Sequence, residues 1–371
     1  MADSPWGGSE NLWAQAAFQA LHRGHKVLTS VYKWEPTPPQ IAELEIQGAI
    51  IHRRKHFNLS SKIAAKAANK IQRTYLSSYE IKKTLHDFQP DLICISQGGN
   101  YDIIQEPSLF SAIKEVGSDY FIIPQFNYEH YTLPYNEFVL GRKIFGNAKG
   151  ICFVSERNRE VSRRQLALPL HSSTVIFNPP NIQYFQLIEY PSTGDGYQFA
   201  CVSRLDCNYK GQDILLEVLS GTVWKDRKWK LSFYGQGEHE EYLRELVRFY
   251  QLETRVTFKG HTSNISEVWT HNHLLIMPSI AEGTPSSLVE AMICGRTAIA
   301  TDVGGNAAFV REGETGFLVE APTATYLSRA LERAWSSREQ WKVLGQAAHR
   351  LAVNQVPESP GDQLLDYLLH S

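Results

Sequence analysis

Short apolar runs rich in β-branched residues alternate with amphipathic helical patterns along nearly the whole chain, and this alternation restricts the fold more than any other feature. Runs of this kind separated by helices are typical of parallel sheets built from right-handed βαβ units. The predicted strands are 25–32, 48–54, 91–96, 119–126, 150–155, 197–205, 228–235, 255–260, 273–279, 296–305 and 316–321.

The strands fall into two series, separated by a segment, 177–196, that is rich in Pro, Gly and polar residues. Such a composition is typical of a linker between domains. The length of 371 residues suits two domains of ordinary size. We therefore predict a first α/β domain over 1–178, a second over 179–340, and closing helices over 341–371.

Composition and charge exclude several classes of protein. The 37 Lys and Arg nearly balance the 39 Asp and Glu, so the surface lacks the broad positive field that nucleic-acid binding requires. The five cysteines form no C-x-x-C pair, which predicts reduced core cysteines. No apolar stretch approaches the roughly 20 residues of a membrane span. We expect a cytoplasmic protein that binds no nucleic acid.

Two carboxylates flank the turn between a predicted strand and the next helix. Glu282 lies in the loop that leaves strand 273–279, and Glu290 lies in the first turn of the following helix. Both would face the carboxyl ends of the parallel strands, where open α/β sheets bind ligands. Ser287 and Glu290 also fit a capping box, in which Glu290 would satisfy only a backbone donor. The local pattern supports both interpretations equally.

Two cations converge on a predicted helix start after strand 197–205. Arg204 ends the strand, and Lys210 precedes Gly211 at the start of the helix. Backbone N–H groups, the helix dipole and the two charges all favour an anion such as a diphosphate. The alternative is that Arg204 pairs with Asp206 while Lys210 is solvated.

A pair of glycines, Gly7 and Gly8, precedes the first predicted helix, which we expect to begin at Glu10 with Ser9 as its cap. Paired glycines let a phosphate or sugar approach the backbone closely, although a simple tight turn would also explain them. The sequence contains no phosphate-loop motif, dinucleotide fingerprint, nucleophile elbow or Asp-x-Asp metal motif. These absences disfavour ATPases, ordinary NAD enzymes, serine hydrolases and metal-dependent sugar transferases.

Taken together, the motifs resemble the retaining glycosyltransferases of family 4. The resemblance implies the GT-B architecture, in which two Rossmann-like domains face across a cleft and C-terminal helices cross back to the first domain. The first domain would bind the acceptor and the second the nucleotide-sugar. The motifs that carry the resemblance are GGSENLWAQAAFQALHRGHKV, VIFNPPNIQYF, SRLDCNYKGQDILLEVL, YGQGEHEEYLREL, VTFKGHTSNISEVW, PSIAEGTPSSLVEAMICGRTAIATDVGG and GETGFLV.

The resemblance implies how a UDP- or GDP-linked sugar donor would be held. Arg204 and Lys210 would stabilise the leaving diphosphate without a metal or other cofactor. The backbone of Gly7 and Gly8 would assist them. Glu290 would hold the ribose hydroxyls.

The same resemblance places the donor sugar beside Glu282. Backbone groups of Thr284, Pro285 and Ser286 would lie close to its hydroxyls. The usual proposal for such enzymes is a front-face mechanism with retention, in which a donor phosphate oxygen accepts the acceptor's proton. No protein nucleophile is then needed, and no metal ligand is expected.

Two further regions correspond to the family's base pocket and reacting centre. In the first domain, Asn127, Glu129 and His130 compete for a catalytic role, and His130 is favoured slightly over an ordinary loop histidine. Short glycine turns after strands are mostly structural, so these residues support a base pocket less strongly than the charged residues support a diphosphate site. Its predicted residues are Gly235, Gly237, Gly260, His261 and Thr262.

Two departures from the family limit the resemblance. The family commonly has a glutamate shortly after the Gly-Gly of TDVGG, where this chain has Ala307 and Ala308. Relatives begin with a strand that leads into the first Gly-Gly loop, whereas this sequence starts almost at that loop. We expect either a natural chain that starts upstream of Met1 or an altered first domain.

One segment of the first domain is strongly basic, with nine Lys or Arg between residues 53 and 83 against a single acid, Glu80. Lys62, Lys66, Lys70 and Arg73 recur at helical spacing, as in helices that lie on the inner face of an anionic membrane. The accompanying apolar face is small and rich in alanine, which favours a solvated helix over peripheral membrane contact.

Three hypotheses follow for the function. The first is a metal-independent, retaining transfer of sugar from a nucleotide donor to a hydroxyl-bearing sugar or lipid-linked acceptor, in polysaccharide or glycoconjugate synthesis. The second is a catalytically weak subunit that binds nucleotide-sugars, as the two departures suggest. The third is a GT-B epimerase or a phosphorylase, and the phosphorylase would carry a pyridoxal cofactor.

Overall fold

A computed structural model of the chain describes residues 6–54, 80–182 and 185–371. The chain divides into two compact units, Met1–Pro179 with Glu358–Ser371, and Pro180–Pro357. Most of the basic segment 53–83, including the helix predicted for membrane contact, lies outside the described residues. Within those residues, no helix combines the length and the apolar character that crossing a membrane requires.

The described part of the first unit contains two parallel sheets. One has two strands, in the order β1-β2, and the other has four, in the order β3-β4-β5-β6. Strand β6 was missed in the sequence, because three residues are too few to show a periodicity. The strands are β1 (Leu28–Tyr32), β2 (Ile50–Arg54), β3 (Leu92–Gln97), β4 (Asp119–Pro124), β5 (Gly150–Phe153) and β6 (Ser173–Val175).

The helices of the first unit connect these strands as βαβ crossovers require. In the described residues they are α1 (Gly8–His22), α2 (Pro39–Ile46), α3 (80–88), α4 (Pro107–Val116), α5 (Tyr135–Gly146) and α6 (Glu156–Leu166).

The second unit is built on one parallel sheet of six strands, in the order β12-β11-β10-β7-β8-β9. Successive strands run outward from β7 in one direction and from β10 in the other, so the order reverses between these two neighbours. The strands are β7 (Tyr197–Val202), β8 (Trp229–Tyr234), β9 (Val256–Gly260), β10 (Leu274–Met277), β11 (Thr297–Thr301) and β12 (Gly316–Val319). The predicted α/β class with two Rossmann-like domains is confirmed.

The helices that follow β7 belong to the second unit, except the last one, α16, which belongs to the first. They are α7 (Cys207–Lys210), α8 (Gln212–Leu219), α9 (Thr222–Lys225), α10 (Glu240–Phe249), α11 (Ile265–His271), α12 (Ser286–Ile293), α13 (Asn306–Phe309), α14 (Ala324–Ser336), α15 (Trp341–Gln355) and α16 (Pro360–His370).

The closing helices 341–371, predicted as one returning segment, belong to different units. Helix α15 packs on α12 and β11, where Trp341 and Ala348 are buried, so the second unit extends to Pro357 instead of residue 340. Helix α16 packs on α1. Its Leu364 and Leu368 are buried in one cluster with Leu12 of α1.

Helix α1 begins earlier than predicted. Gly7 is its extended N-cap residue, and Gly8 is its first residue, without a side-chain cap. The Ser9 hydroxyl donates to the Glu10 carboxylate at 2.8 Å. The Glu10 N–H is satisfied by the Gly7 carbonyl at 3.1 Å, so Ser9 lies inside the helix.

All five cysteines are free, as predicted, but they do not share one environment. Cys152, Cys201, Cys207 and Cys294 are buried. Cys94 is exposed, which contradicts the prediction of a core residue. It lies on β3, the edge strand of the described four-stranded sheet.

Candidate functional site

The loops that leave β7 and β10 lie at the carboxyl edge of the second unit's sheet. Because the strand order reverses between these neighbouring strands, this is the topological switch point, where open α/β sheets bind ligands. Arg204 lies in the loop after β7, Lys210 ends the short helix α7 that follows this loop, and Glu282 lies in the loop after β10. We call these three residues the switch-point cluster.

Lys210 and Glu282 form a partly buried ion pair. Lys210 Nζ lies 2.6 Å from Glu282 Oε1, and the two side chains are 20% and 9% exposed. The Ser279 hydroxyl donates to the same carboxylate oxygen at 2.7 Å. The alternative of a solvated Lys210 is therefore wrong. Removal from water strengthens the interaction of this ammonium with any neighbouring anion.

Arg204 pairs with Asp206, as its alternative interpretation predicted, with Nη2 2.8 Å from Oδ2. The Asp206 side chain is only 5% exposed, whereas the Arg204 side chain is 46% exposed. A guanidinium has five N–H donors in a planar fork. The buried aspartate thus fixes one side of an arginine that presents its remaining donors to solvent or to a ligand.

Glu290 is buried in α12 and does not cap that helix. Helix α12 starts at Ser286 with Pro285 as its N-cap residue and no side-chain cap, so Ser287 is already its second residue. Glu290 Oε1 instead accepts from the backbone N–H of Asn181 at 2.8 Å and from its Nδ2 at 3.1 Å. The capping-box interpretation is wrong. The sequence does not indicate a role for Asn181, because its partner Glu290 is 109 positions away.

Burial raises the pKa of Glu290 from 4.5 to about 7, and the two hydrogen bonds from Asn181 oppose this shift only in part. Between these two pKa values the folded state keeps a proton that the unfolded state releases. We therefore expect the free energy of unfolding to fall as the pH rises from 5 to 8, with roughly 2 kcal/mol attributable to this group.

Glu290→Gln, which cannot ionise, is the variant that isolates this effect. Chemical denaturation at several pH values should show a weaker decline for the variant than for the wild type. Parallel curves for the two proteins would show that Glu290 does not titrate in this interval.

Gly235 and Gly237, two residues of the predicted base pocket, are explained by backbone packing. Gly235 has φ +139°, and a Cβ there would lie 2.0 Å from the Ser203 carbonyl oxygen. A Cβ on Gly237 would lie 2.2 Å from the Leu205 carbonyl oxygen. The loop after β8 can approach the loop after β7 this closely only with glycine at both positions.

The other predicted base-pocket residues follow β9. The Gly235 N–H donates to the Gly260 carbonyl at 2.8 Å, which joins this loop to the previous one. His261 is exposed. The Thr262 hydroxyl accepts from the Asn264 backbone N–H at 3.2 Å, so it shapes the turn into α11.

Thr284, Pro285 and Ser286 lie where the β10 loop enters α12. Thr284 is buried, Pro285 is the N-cap residue, and Ser286 starts the helix. The Ser286 N–H donates to the Thr284 carbonyl at 2.9 Å, and Pro285 has no N–H, so the backbone of this turn is engaged locally. Only Gly283 separates these three residues from Glu282 in the chain.

The remaining predicted residues belong to the first unit, with Gly7 and Gly8 at the start of α1. His130 is exposed in the loop between β4 and α5. The two alternative residues of this loop bind other residues of the first unit. Asn127 is buried and donates to the Ser162 hydroxyl at 3.3 Å. Glu129 accepts two hydrogen bonds from Arg157. His130 thus remains the predicted residue of this loop.

Residues 187–351 match the family model of glycosyl transferases group 1. An uncharacterized glycosyltransferase of Haemophilus influenzae is 32% identical over 126 residues, 34% of this chain and 36% of the relative. The poly(ribitol-phosphate) alpha-N-acetylglucosaminyltransferase of Staphylococcus aureus is 31% identical over 109 residues, 29% of this chain and 22% of the relative. The chain thus spans only about a third or less of these curated relatives.

The crystal structure of Anabaena HepE in complex with UDP and glucose superposes with a TM-score of 0.73 at 16% identity, covering 99% of this chain and 97% of HepE. The protein therefore has the GT-B fold. The segment that matches the glycosyl transferases group 1 model, residues 187–351, includes the switch-point cluster and Glu290.

Proposed function

We propose that the protein is a retaining glycosyltransferase of family 4 that transfers a sugar from a nucleotide-diphosphate donor to a hydroxyl acceptor without a metal. The observation that carries the proposal is the switch-point cluster. Lys210 and Glu282, which follow different strands, form an ion pair at the position where an α/β sheet binds its ligand, and Arg204 lies on the segment between β7 and Lys210.

The positive charges of the cluster would stabilise the group that leaves when the donor bond breaks. As the bond between the anomeric carbon and the phosphate oxygen breaks, negative charge grows on the leaving diphosphate. Lys210, held by Glu282, and Arg204, held by Asp206, would stabilise that charge. The acceptor oxygen bonds to the anomeric carbon on the same face, and its proton passes to a phosphate oxygen of the leaving group.

The two carboxylates would orient the donor. Glu282 Oε1 is occupied by Lys210 and Ser279, so Oε2 would accept from the donor sugar's hydroxyls. Glu290 would accept from the ribose hydroxyls. Both side chains are mostly buried, and hydrogen bonds to charged acceptors in such surroundings are stronger than those in water.

We propose UDP as the donor nucleotide, with GDP as the second to be tested, because the HepE structure contains UDP. The acceptor would be a hydroxyl-bearing sugar or a lipid-linked sugar in polysaccharide or glycoconjugate synthesis. The protein would act in the cytoplasm or at the inner face of the membrane. His130 would serve the acceptor side.

A donor screen tests this function. Purified protein is incubated with a panel of UDP- and GDP-sugars, with and without EDTA, and release of the nucleoside diphosphate is measured. We expect slow donor hydrolysis with at least one UDP-sugar, changed less than twofold by EDTA. Proton NMR of a transferred product should show the anomeric configuration of the donor.

The other outcomes separate the alternatives. Tight UDP binding with no hydrolysis or transfer would identify a binding subunit. Conversion of the donor to its epimer without an acceptor would identify an epimerase. No binding of any donor would refute the proposed function.

A further inference from the structure

Beside the switch-point cluster lie three potential metal ligands that the proposed function does not use: Asp206, Glu238 and His239. Asp206 precedes α7, and the other two precede α10. Each offers one ligand atom, and the three atoms lie within 4.8 Å of one another. We propose that these residues, the Asp206–Glu238–His239 site, bind a divalent transition-metal ion of the Zn²⁺ class.

The strongest indication is an unsatisfied buried oxygen. Asp206 is 4% exposed, and its Oδ1 has no hydrogen-bond partner among the described residues. A buried carboxylate oxygen without a partner is costly. This oxygen faces Nδ1 of His239 at 3.6 Å.

The histidine nitrogen that faces this oxygen is an acceptor. His239 Nδ1 accepts the backbone N–H of Cys207 at 3.3 Å, so in this arrangement it carries no proton. Two electron-rich atoms, Nδ1 and Asp206 Oδ1, therefore face each other with no proton between them. A cation bound to both would satisfy the carboxylate oxygen, and it would take the Nδ1 lone pair that now accepts the Cys207 N–H, so binding displaces this long hydrogen bond of 3.3 Å.

The ligand set selects the kind of ion. One imidazole nitrogen and two carboxylates suit Zn²⁺ and its neighbours better than Mg²⁺ or Ca²⁺, which prefer oxygen ligands alone. Zn–N and Zn–O bonds are about 2.1 Å, so the separation of 3.6 Å between Nδ1 and Oδ1 corresponds to an angle of about 120° at the metal. The exposed side of the site, at Glu238, admits water as a fourth ligand.

The charge balance also favours a cation. Arg204 binds the other oxygen of Asp206, so it contributes one positive charge against the two carboxylates. The two carboxylates outnumber the single guanidinium, so the site favours an added cation. The Arg204 side chain is 46% exposed, so water screens its repulsion of a bound ion in part.

The two loops that supply the ligands are fixed to each other by their backbones. Leu205 N–H donates to the Gln236 carbonyl at 3.0 Å, and His239 N–H donates to the Leu205 carbonyl at 3.1 Å. Ligand positions set by such contacts need little rearrangement on binding. The proposed sugar transfer does not use this ion, so the metal site is a property additional to the proposed function.

Titration of the full chain with ZnCl₂ by isothermal calorimetry, after EDTA treatment and its removal, tests the site without any nucleotide. We expect one Zn²⁺ to bind more tightly than any adventitious ions. His239→Gln and Glu238→Gln should each weaken this step by roughly tenfold or more. Glu238 is exposed, so its replacement carries little risk of unfolding.

His86 provides the matched control. Its Nδ1 lies 3.8 Å from Asp87 Oδ1, but both side chains are exposed and belong to no three-ligand group among the described residues. His86→Gln should bind Zn²⁺ like the wild type, and Zn²⁺ should raise the Tm of both. The proposal is overturned if no Zn²⁺ binds at 100-fold excess, or if either site variant binds it as tightly as the control.

Discussion

Replacing Lys210 by alanine is expected to lower kcat/KM for sugar transfer by about a thousandfold, because the proposed function assigns Lys210 as one of two cations that stabilise the leaving diphosphate. The same change removes the partner of Glu282, whose side chain is 9% exposed. A buried charge left without its partner is strongly destabilising, so the variant should also lose about 3 kcal/mol of stability. Steady-state kinetics and chemical denaturation measure the two effects.

Two further variants separate catalysis from stability. In Lys210→Met combined with Glu282→Gln, no uncompensated charge is left, so stability should return while transfer stays lost. Lys225→Ala, at the exposed end of α9, is the control and should change neither property. Wild-type turnover in Lys210→Ala would show that the ion pair with Glu282 is purely structural.

Replacing Glu290 by alanine is expected to weaken UDP binding by about a hundredfold, since under the proposed function two ribose hydroxyls would lose their carboxylate acceptor. Calorimetry with UDP and with 2′,3′-dideoxy-UDP identifies the contact. The wild type should prefer UDP strongly, whereas Glu290→Ala should bind the two nucleotides alike.

The control for this prediction is Glu312→Gln, which breaks an exposed ion pair with Arg333 away from the switch point. It should keep the preference for UDP. If Glu290→Ala lowers the Tm but still prefers UDP over the dideoxy nucleotide, Glu290 serves only to hold Asn181. The effect on binding should also depend on pH, because the carboxyl group ionises near pH 7.

Local patterns were enough to predict the strands but not the partners of side chains. Each of the eleven predicted strands is present, because apolar periodicity is a property of a few adjacent residues. The contact between Lys210 and Glu282 spans 72 positions and depends on β7 and β10 being neighbours, which no local pattern contains. Glu290 shows the same limit, since a capping box is local whereas Asn181 is 109 positions away.

The closing helices show a second limit. Helices α15 and α16 have similar apolar patterns, and both were assigned to the first domain. A helical pattern shows that one face must be covered, but it does not show which core covers it. Trp341 packs in the second unit, whereas Leu364 packs in the first.

The contribution of α16 to the first unit also determines when that unit can be completed during translation. Residues up to Pro179 leave the ribosome first, but Leu12 and Phe121 lack part of their core until Leu364, Leu365 and Leu368 follow. The second unit is continuous, from Pro180 to Pro357, so all of it is synthesised earlier than α16. Domains generally fold in the order of their synthesis. In this chain the core of the first unit can be completed only after the whole second unit has been synthesised.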